Sequence, residues 1–211
     1  MYPGFLQTKM ITMPNPVLYS KEIKNREPSK KNKYTILNVG RLDGQKDQET
    51  LIRAFVRLKD KYPNWSLHII GSGKLKDELD NLIISLNASN SIKLESYKDN
   101  IFDSYQSADI FAIPSKYESF GLVTAEAMSC ELPVVGFSDC PGTNELILDG
   151  VNGILVLSND RVKNFSEGLE KLMADPELRY KLGKRGRQDV KKFKTSHVLD
   201  KWEVLINEFN S

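Results

Sequence analysis

From residue 34 onward, short β-branched runs alternate with segments whose apolar residues recur at helical spacing. That alternation restricts the chain to βα units wound into a parallel sheet. The strand-like runs are 34–39, 67–70, 92–95, 109–113, 133–137 and 153–157. Between the first two, Leu51, Ile52, Phe55 and Leu58 fall on one face of a helix that ends near Pro63. Leu75, Leu79, Leu82, Ile83 and Leu86 repeat the pattern, and the spacing predicts further helices at 100–108, 121–130, 162–174 and 177–193. A last helix, at 196–209, carries Val198, Trp202, Leu205, Ile206 and Phe209 on one stripe. Six strands with interleaved helices predict an α/β, doubly wound, Rossmann-like domain over 34–211.

Residues 1–33 read differently. Pro3, Pro14, Pro16 and Pro28 break every pattern, residues 20–33 read as an exposed polar loop, and 9–13 is a short run that could form a strand but has no obvious partner. This segment is expected to link the domain to something larger that precedes it.

Composition narrows the class. With 40% apolar and 27% charged residues among 211, the chain is neither disordered nor fibrous. It has no apolar run of the roughly 20 residues that a membrane helix needs, and no signal-peptide pattern, so a cytoplasmic chain is expected. Cys130 and Cys140 are too few for a disulfide framework and read as partly buried thiols. Net charge is +2, but residues 1–33 carry seven Lys or Arg against two Glu, so the remainder is acidic; no nucleic-acid partner is expected. A basic cluster, Arg179, Lys181, Lys184, Arg185, Arg187, Lys191, Lys192 and Lys194, is either a solvated helix face or a surface for an anionic membrane.

In an open α/β sheet ligands bind beyond the carboxyl ends of the strands. After the first strand come Gly40, Arg41 and Lys46, two cations on a flexible turn; they either converge on one anion, such as a diphosphate, or are surface charges on a tight turn. After the second, Gly71 and Gly73 open a helix and would let backbone approach a ligand. Position 76 is Lys, so the glycine fingerprint of an NAD-dependent oxidoreductase is incomplete. After the fourth strand, Glu118, Ser119, Phe120, Gly121, Leu122, Val123 and Glu126 place two carboxylates around a helix start. Glu accepts from vicinal hydroxyls while free N–H groups hold phosphate, a combination suited to a nucleotide diphosphate sugar. His68 and His197 are too far apart for a convincing metal site, and His68 reads as packed within a strand.

These motifs resemble the C-terminal, donor-binding domain of retaining GT-B glycosyltransferases of family 4. The resemblance is carried by Glu118 and Glu126 as the E-x7-E pair, by the run 115–121, by 40–46 and by 71–73, and extends through Ala108, Asp109, 133–135 and 149–153, so that it covers about 34–160. Met13, Pro14, Asn15, Pro16 and Val17 also resemble the start of that domain. The loop 138–145 departs from the family pattern although Glu145 keeps its place.

The resemblance implies that Arg41, Lys46 and Glu118 are catalytic: the cations hold the donor diphosphate and Glu118 the transferred sugar. It assigns Glu126 to the ribose hydroxyls, and implies neither metal nor cofactor, since the cations and helix dipole take that part. The expected donor is a UDP-hexose or UDP-N-acetylhexosamine. The acceptor is expected to be a glycan or lipid-linked glycan of bacterial polysaccharide, O-antigen or lipopolysaccharide synthesis, at the inner face of a membrane. The acceptor-binding domain of such an enzyme precedes this one, so the chain alone is expected to transfer little. The alternative is a non-catalytic nucleotide-sugar-binding or regulatory module.

Overall fold

A computed structural model describes residues 11–20, 23, 26–28, 31–97 and 100–210, with side chains of the last helix to residue 208. Six strands, β1 (Tyr34–Val39), β2 (Trp65–Ile70), β3 (Ile92–Glu95), β4 (Ile110–Ile113), β5 (Val134–Phe137) and β6 (Ile154–Val156), form one sheet in the order β3-β2-β1-β4-β5-β6. Every pairing is parallel. The order reverses between β1 and β4, where Ile36 faces Ile110 and Leu37 faces Phe111. Crossovers on either side of this seam run to opposite faces, and a crevice opens at its carboxyl end.

The pleat assigns the two layers. Ile36, Leu67, Ile69, Ile110, Ala112, Val135 and Phe137 point to one core, and Leu37, Val39, Ile70, Phe111, Ile113 and Val134 to the other. The first core is covered by α1 (Gln48–Val56), α2 (Lys76–Ser85) and α6 (Arg161–Ala174). The second is covered by α3 (Ile101–Ser107), α4 (Leu122–Ser129) and the short α5 (Thr143–Leu146). Then α7 (Pro176–Val190) leads through a 3-10 turn (Lys191–Phe193) into α8 (Thr195–Asn210). Asp160 and Asp175 cap α6 and α7 by accepting from the N–H groups of Lys163 and Leu178, and Pro176 starts α7 where its missing N–H costs nothing.

Most predicted elements are present within a residue or two. The first helix ends at Val56, short of Pro63, and Leu58 packs from the turn that follows. Three further differences have local causes. α5 begins inside the predicted loop 138–145, where Gly142 at φ 76° starts a single helical turn that ends at Leu146. The predicted helix 177–193 ends as an α-helix at Val190 and tightens into the 3-10 turn. Residues 11–13 of the expected early strand are not in a strand; residues 9 and 10 lie outside the described residues, as does the Phe209 side chain.

The polar stretch 20–33 is not simply an exposed loop. Arg26 donates to the carbonyls of Tyr105, Gln106 and Ala108 at the end of α3 and of Cys130 at the end of α4. A guanidinium there satisfies orphan carbonyls and meets the negative ends of both helices. Upstream, Val17 N–H donates to Phe193 O at 2.8 Å. The basic cluster is likewise partly internal. Arg179 is buried and donates to Leu172 O and Met173 O, Arg187 donates to Ser20 O and Ser129 O, and Arg185 pairs with Asp189. Lys181, Lys184, Lys191 and Lys192 are exposed. Both cysteines are buried and unpaired, and burial pushes their thiols up. Among the described residues no helix is long and apolar enough to cross a membrane.

Candidate donor-binding site

Three loops meet at the carboxyl end of the β1/β4 seam. After β1, Asp43 Oδ1 accepts from the N–H groups of Gln45 and Lys46 at 3.0 and 3.1 Å, turning the chain back on itself. The Lys46 stem then lies over Gly40, where an added Cβ would stand 3.6 Å from its Cγ. Gln45 ties this loop to the one after β4, accepting from Lys116 N–H and donating to Tyr117 O, both at 2.9 Å. The β5 loop joins through Pro141 O, which accepts from Glu118 N–H at 3.1 Å. Gly142 is required at this junction, since a Cβ there would lie 2.4 Å from Glu118 O.

The frame brings Lys46 and Glu118 together. Lys46 Nζ donates to Glu118 Oε1 and Oε2, and Ser115 Oγ donates to Oε1 at 2.7 Å. Both partners are largely buried, with side-chain exposures of 14% and 8%. Beneath them Arg161, the first residue of α6, donates to Asp47 Oδ2 at 2.8 Å and to Pro114 O, and stacks on Phe137. It thereby ties the β1 and β4 loops a second time.

Arg41 is placed differently. Its side chain is 66% exposed and meets Asp43 Oδ2 at 3.2 Å, so the expected convergence of Arg41 and Lys46 on one point is not found in this structure. Gly71 and Gly73 face protein backbone: a Cβ would lie 1.9 Å from Gly40 O at the first and 2.4 Å from Leu42 O at the second. These glycines let the β2 loop run against the β1 loop, with Leu42 N–H donating to Ser72 O.

Gly121, at φ 81°, starts α4. Leu122 is exposed and Val123 partly so, and their N–H groups have no backbone acceptor among the described residues. Ser119 is exposed, while Phe120 packs edge-on against Phe193. One turn into α4, Glu126 is half-buried and accepts from Tyr105 Oη at 3.0 Å. Burial pushes the Glu126 carboxyl above its ordinary value, and the tyrosine bond acts against that shift. Tyr105, fully buried, is pushed well up by burial and then by the neighbouring carboxylate.

The candidate site therefore brings together Lys46, Glu118 and the α4 start, with Gly40 beneath and Glu126 one turn into α4. Ser115, Gln45, Tyr105 and Arg161 complete it and were not singled out from the sequence. Ser115 lies inside a motif and could have been found there; nothing in the sequence links residue 105 to 126. Among the described residues no group of three or more His, Cys, Asp or Glu side chains is arranged to hold a metal ion.

The model of the family described as glycosyl transferases group 1 matches residues 20–189, which include every site residue above. The chain belongs to this family. A relative from Campylobacter jejuni, named N-acetylgalactosamine-N,N'-diacetylbacillosaminyl-diphospho-undecaprenol 4-alpha-N-acetylgalactosaminyltransferase, is 35% identical over 158 residues, which are 75% of this chain and 42% of the relative. S. aureus TarM, a mutant solved with fondaparinux, α-GlcNAc-glycerol and UDP, superposes with a TM-score of 0.81 at 25% identity, over 95% of this chain and 39% of that one. The C-terminal domain of LpcC, a glycosyl transferase group 1 family protein from Francisella tularensis, gives a TM-score of 0.70 at 26% identity, over 80% of this chain and 96% of that domain. The chain spans about half the length of the curated relatives it matches. It has the fold of a GT-B glycosyltransferase C-terminal domain.

Proposed function

We propose that this chain is the donor-binding half of a retaining, family 4 glycosyltransferase that takes a UDP-hexose or UDP-N-acetylhexosamine. The observation that carries the reading is the buried Lys46–Glu118 pair at the β1/β4 seam, followed directly by a helix that starts with open N–H groups and carries Glu126 one turn in. That set matches, part for part, a diphosphate flanked by two polyhydroxylated rings.

Lys46 holds the diphosphate, and exposed Arg41 swings onto it when donor binds. The N–H groups at 120–123 and the dipole of α4 add to the charge opposing the leaving group, so no metal is required. Glu118 accepts from the hydroxyls of the transferred sugar, and Glu126 from those of the ribose. Lys46 is bonded to Glu118 in this structure; a bound diphosphate gives it a second anionic partner and frees carboxylate capacity for sugar hydroxyls. The anomeric C–O bond to phosphate breaks as the acceptor oxygen bonds on the same face, and the acceptor proton passes to the departing phosphate.

The acceptor belongs to a partner domain, and the substrate in the Campylobacter relative's name supports a lipid-diphosphate-linked glycan at a membrane face. Calorimetric titration of the chain with UDP, UDP-sugars, GDP-mannose and NAD tests the donor reading. The expected result is UDP binding that survives EDTA and is weakened in Glu126→Ala; binding of NAD but not UDP would overturn it.

A further inference from the structure

Tyr105 is locked in place by its packing. It is 0% exposed, its ring meets Phe102 and Phe111 edge-on with centroids 5.7 and 5.9 Å away, and its backbone carbonyl accepts from Arg26. From that position the phenol donates to Oε2 of Glu126. The other carboxylate oxygen, Oε1, accepts no hydrogen bond from any described residue. Glu126 is thus a half-buried carboxylate with one oxygen tied inward and one open.

We infer that Tyr105 is a positioning residue for Glu126: its phenol fixes the carboxylate before ligand arrives, leaving Oε1 as the oriented acceptor for a ribose hydroxyl. A glutamate has three rotatable side-chain bonds, and freezing them on binding would weaken affinity. A rigid donor that freezes them beforehand removes that cost. The bond also favours the charged form against burial, and charged acceptors make the stronger hydrogen bonds. This inference rests on the ribose reading of Glu126 given above.

The test compares UDP with 2′,3′-dideoxy-UDP, by calorimetry, on the wild type, Tyr105→Phe, Glu126→Ala and the double variant. The wild type is expected to prefer UDP by roughly tenfold, the scale of a hydrogen bond to a charged group. Tyr105→Phe keeps the ring and its packing. It should weaken UDP binding several-fold while leaving dideoxy-UDP unchanged, and should have no further effect in the Glu126→Ala background. Equal weakening of both ligands, or of neither, overturns the role of Tyr105. Equal affinity of the wild type for the two ligands, unaltered by Glu126→Ala, overturns the ribose reading and the inference with it. A measurement on the wild type alone stands beside these: carbon-13 relaxation should find the Glu126 side chain ordered before UDP is added. A side chain that orders only on UDP binding overturns the inference.

Discussion

Lys46 Nζ lies 2.6 and 2.7 Å from the two carboxylate oxygens of Glu118, so the buried cation of the site is bonded to a carboxylate delivered from the other side of the β1/β4 seam. Each charge is the other's compensation for leaving water. Lys46→Met leaves Glu118 buried with only Ser115 as a side-chain donor, and should cost about 3 kcal/mol of stability. Adding Glu118→Gln should recover part of that loss. Urea unfolding of the two single variants and the double variant checks this, and a Lys46→Met chain as stable as the wild type would show the pair to be dispensable.

Gly71→Ala should cost at least about 2 kcal/mol, because a methyl group 1.9 Å from Gly40 O forces backbone apart rather than displacing a flexible side chain. Gly44→Ala is the control, since a Cβ there meets nothing within 4 Å. Paired melting curves separate the two, and similar midpoints would refute the close-approach account.

Arg26→Ala removes donors from four carbonyls at the ends of α3 and α4 and should destabilise by about 3 kcal/mol. Arg26→Lys should restore little, since a single ammonium lacks the planar fork that serves several acceptors. Denaturant midpoints decide it, and full rescue by lysine would show that charge alone matters.

Glu126 gives a pH dependence of definite sign. Its folded pKa is raised above the ordinary 4.5, so the folded state binds its proton more tightly than the unfolded state does. Its contribution to stability is therefore fully present below 4.5 and is lost as pH rises through the raised folded value. Glu126→Gln, permanently neutral, should match the wild type in acid and gain on it as pH climbs through that window. Thermal melts at a series of pH values test this, and a gain that appears on acidification would reverse the sign. UDP binding should fall as the same carboxyl is protonated.

The strands were legible because each is a short β-branched run between breakers, and βα alternation made the sheet parallel, whereas the strand order came from the structure. The site was legible where one loop supplies several groups, as with Glu118 to Glu126. It was illegible where contacts join distant loops. The Lys46–Glu118 bond depends on the Asp43 turn and the Gln45 clasp, neither of which leaves a periodic trace. Gly71 and Gly73 read as ligand-approach glycines because a sequence shows that room is needed without showing what fills it. Arg26 read as loop because its partners are backbone carbonyls, which every residue possesses.

The pairing of β1 with β4 brings Ile36 against Ile110, and the chain between them must be closed into a loop before either gains from the contact. Strands β1 to β3 reach one another through shorter connections, so the seam closes the longest loop of the sheet and carries the largest loop-closure cost. Lys46 comes from one side of that junction and Glu118 from the other. The crevice therefore exists only while that junction is closed, and a ligand seated across it would act as a rivet, resisting its opening.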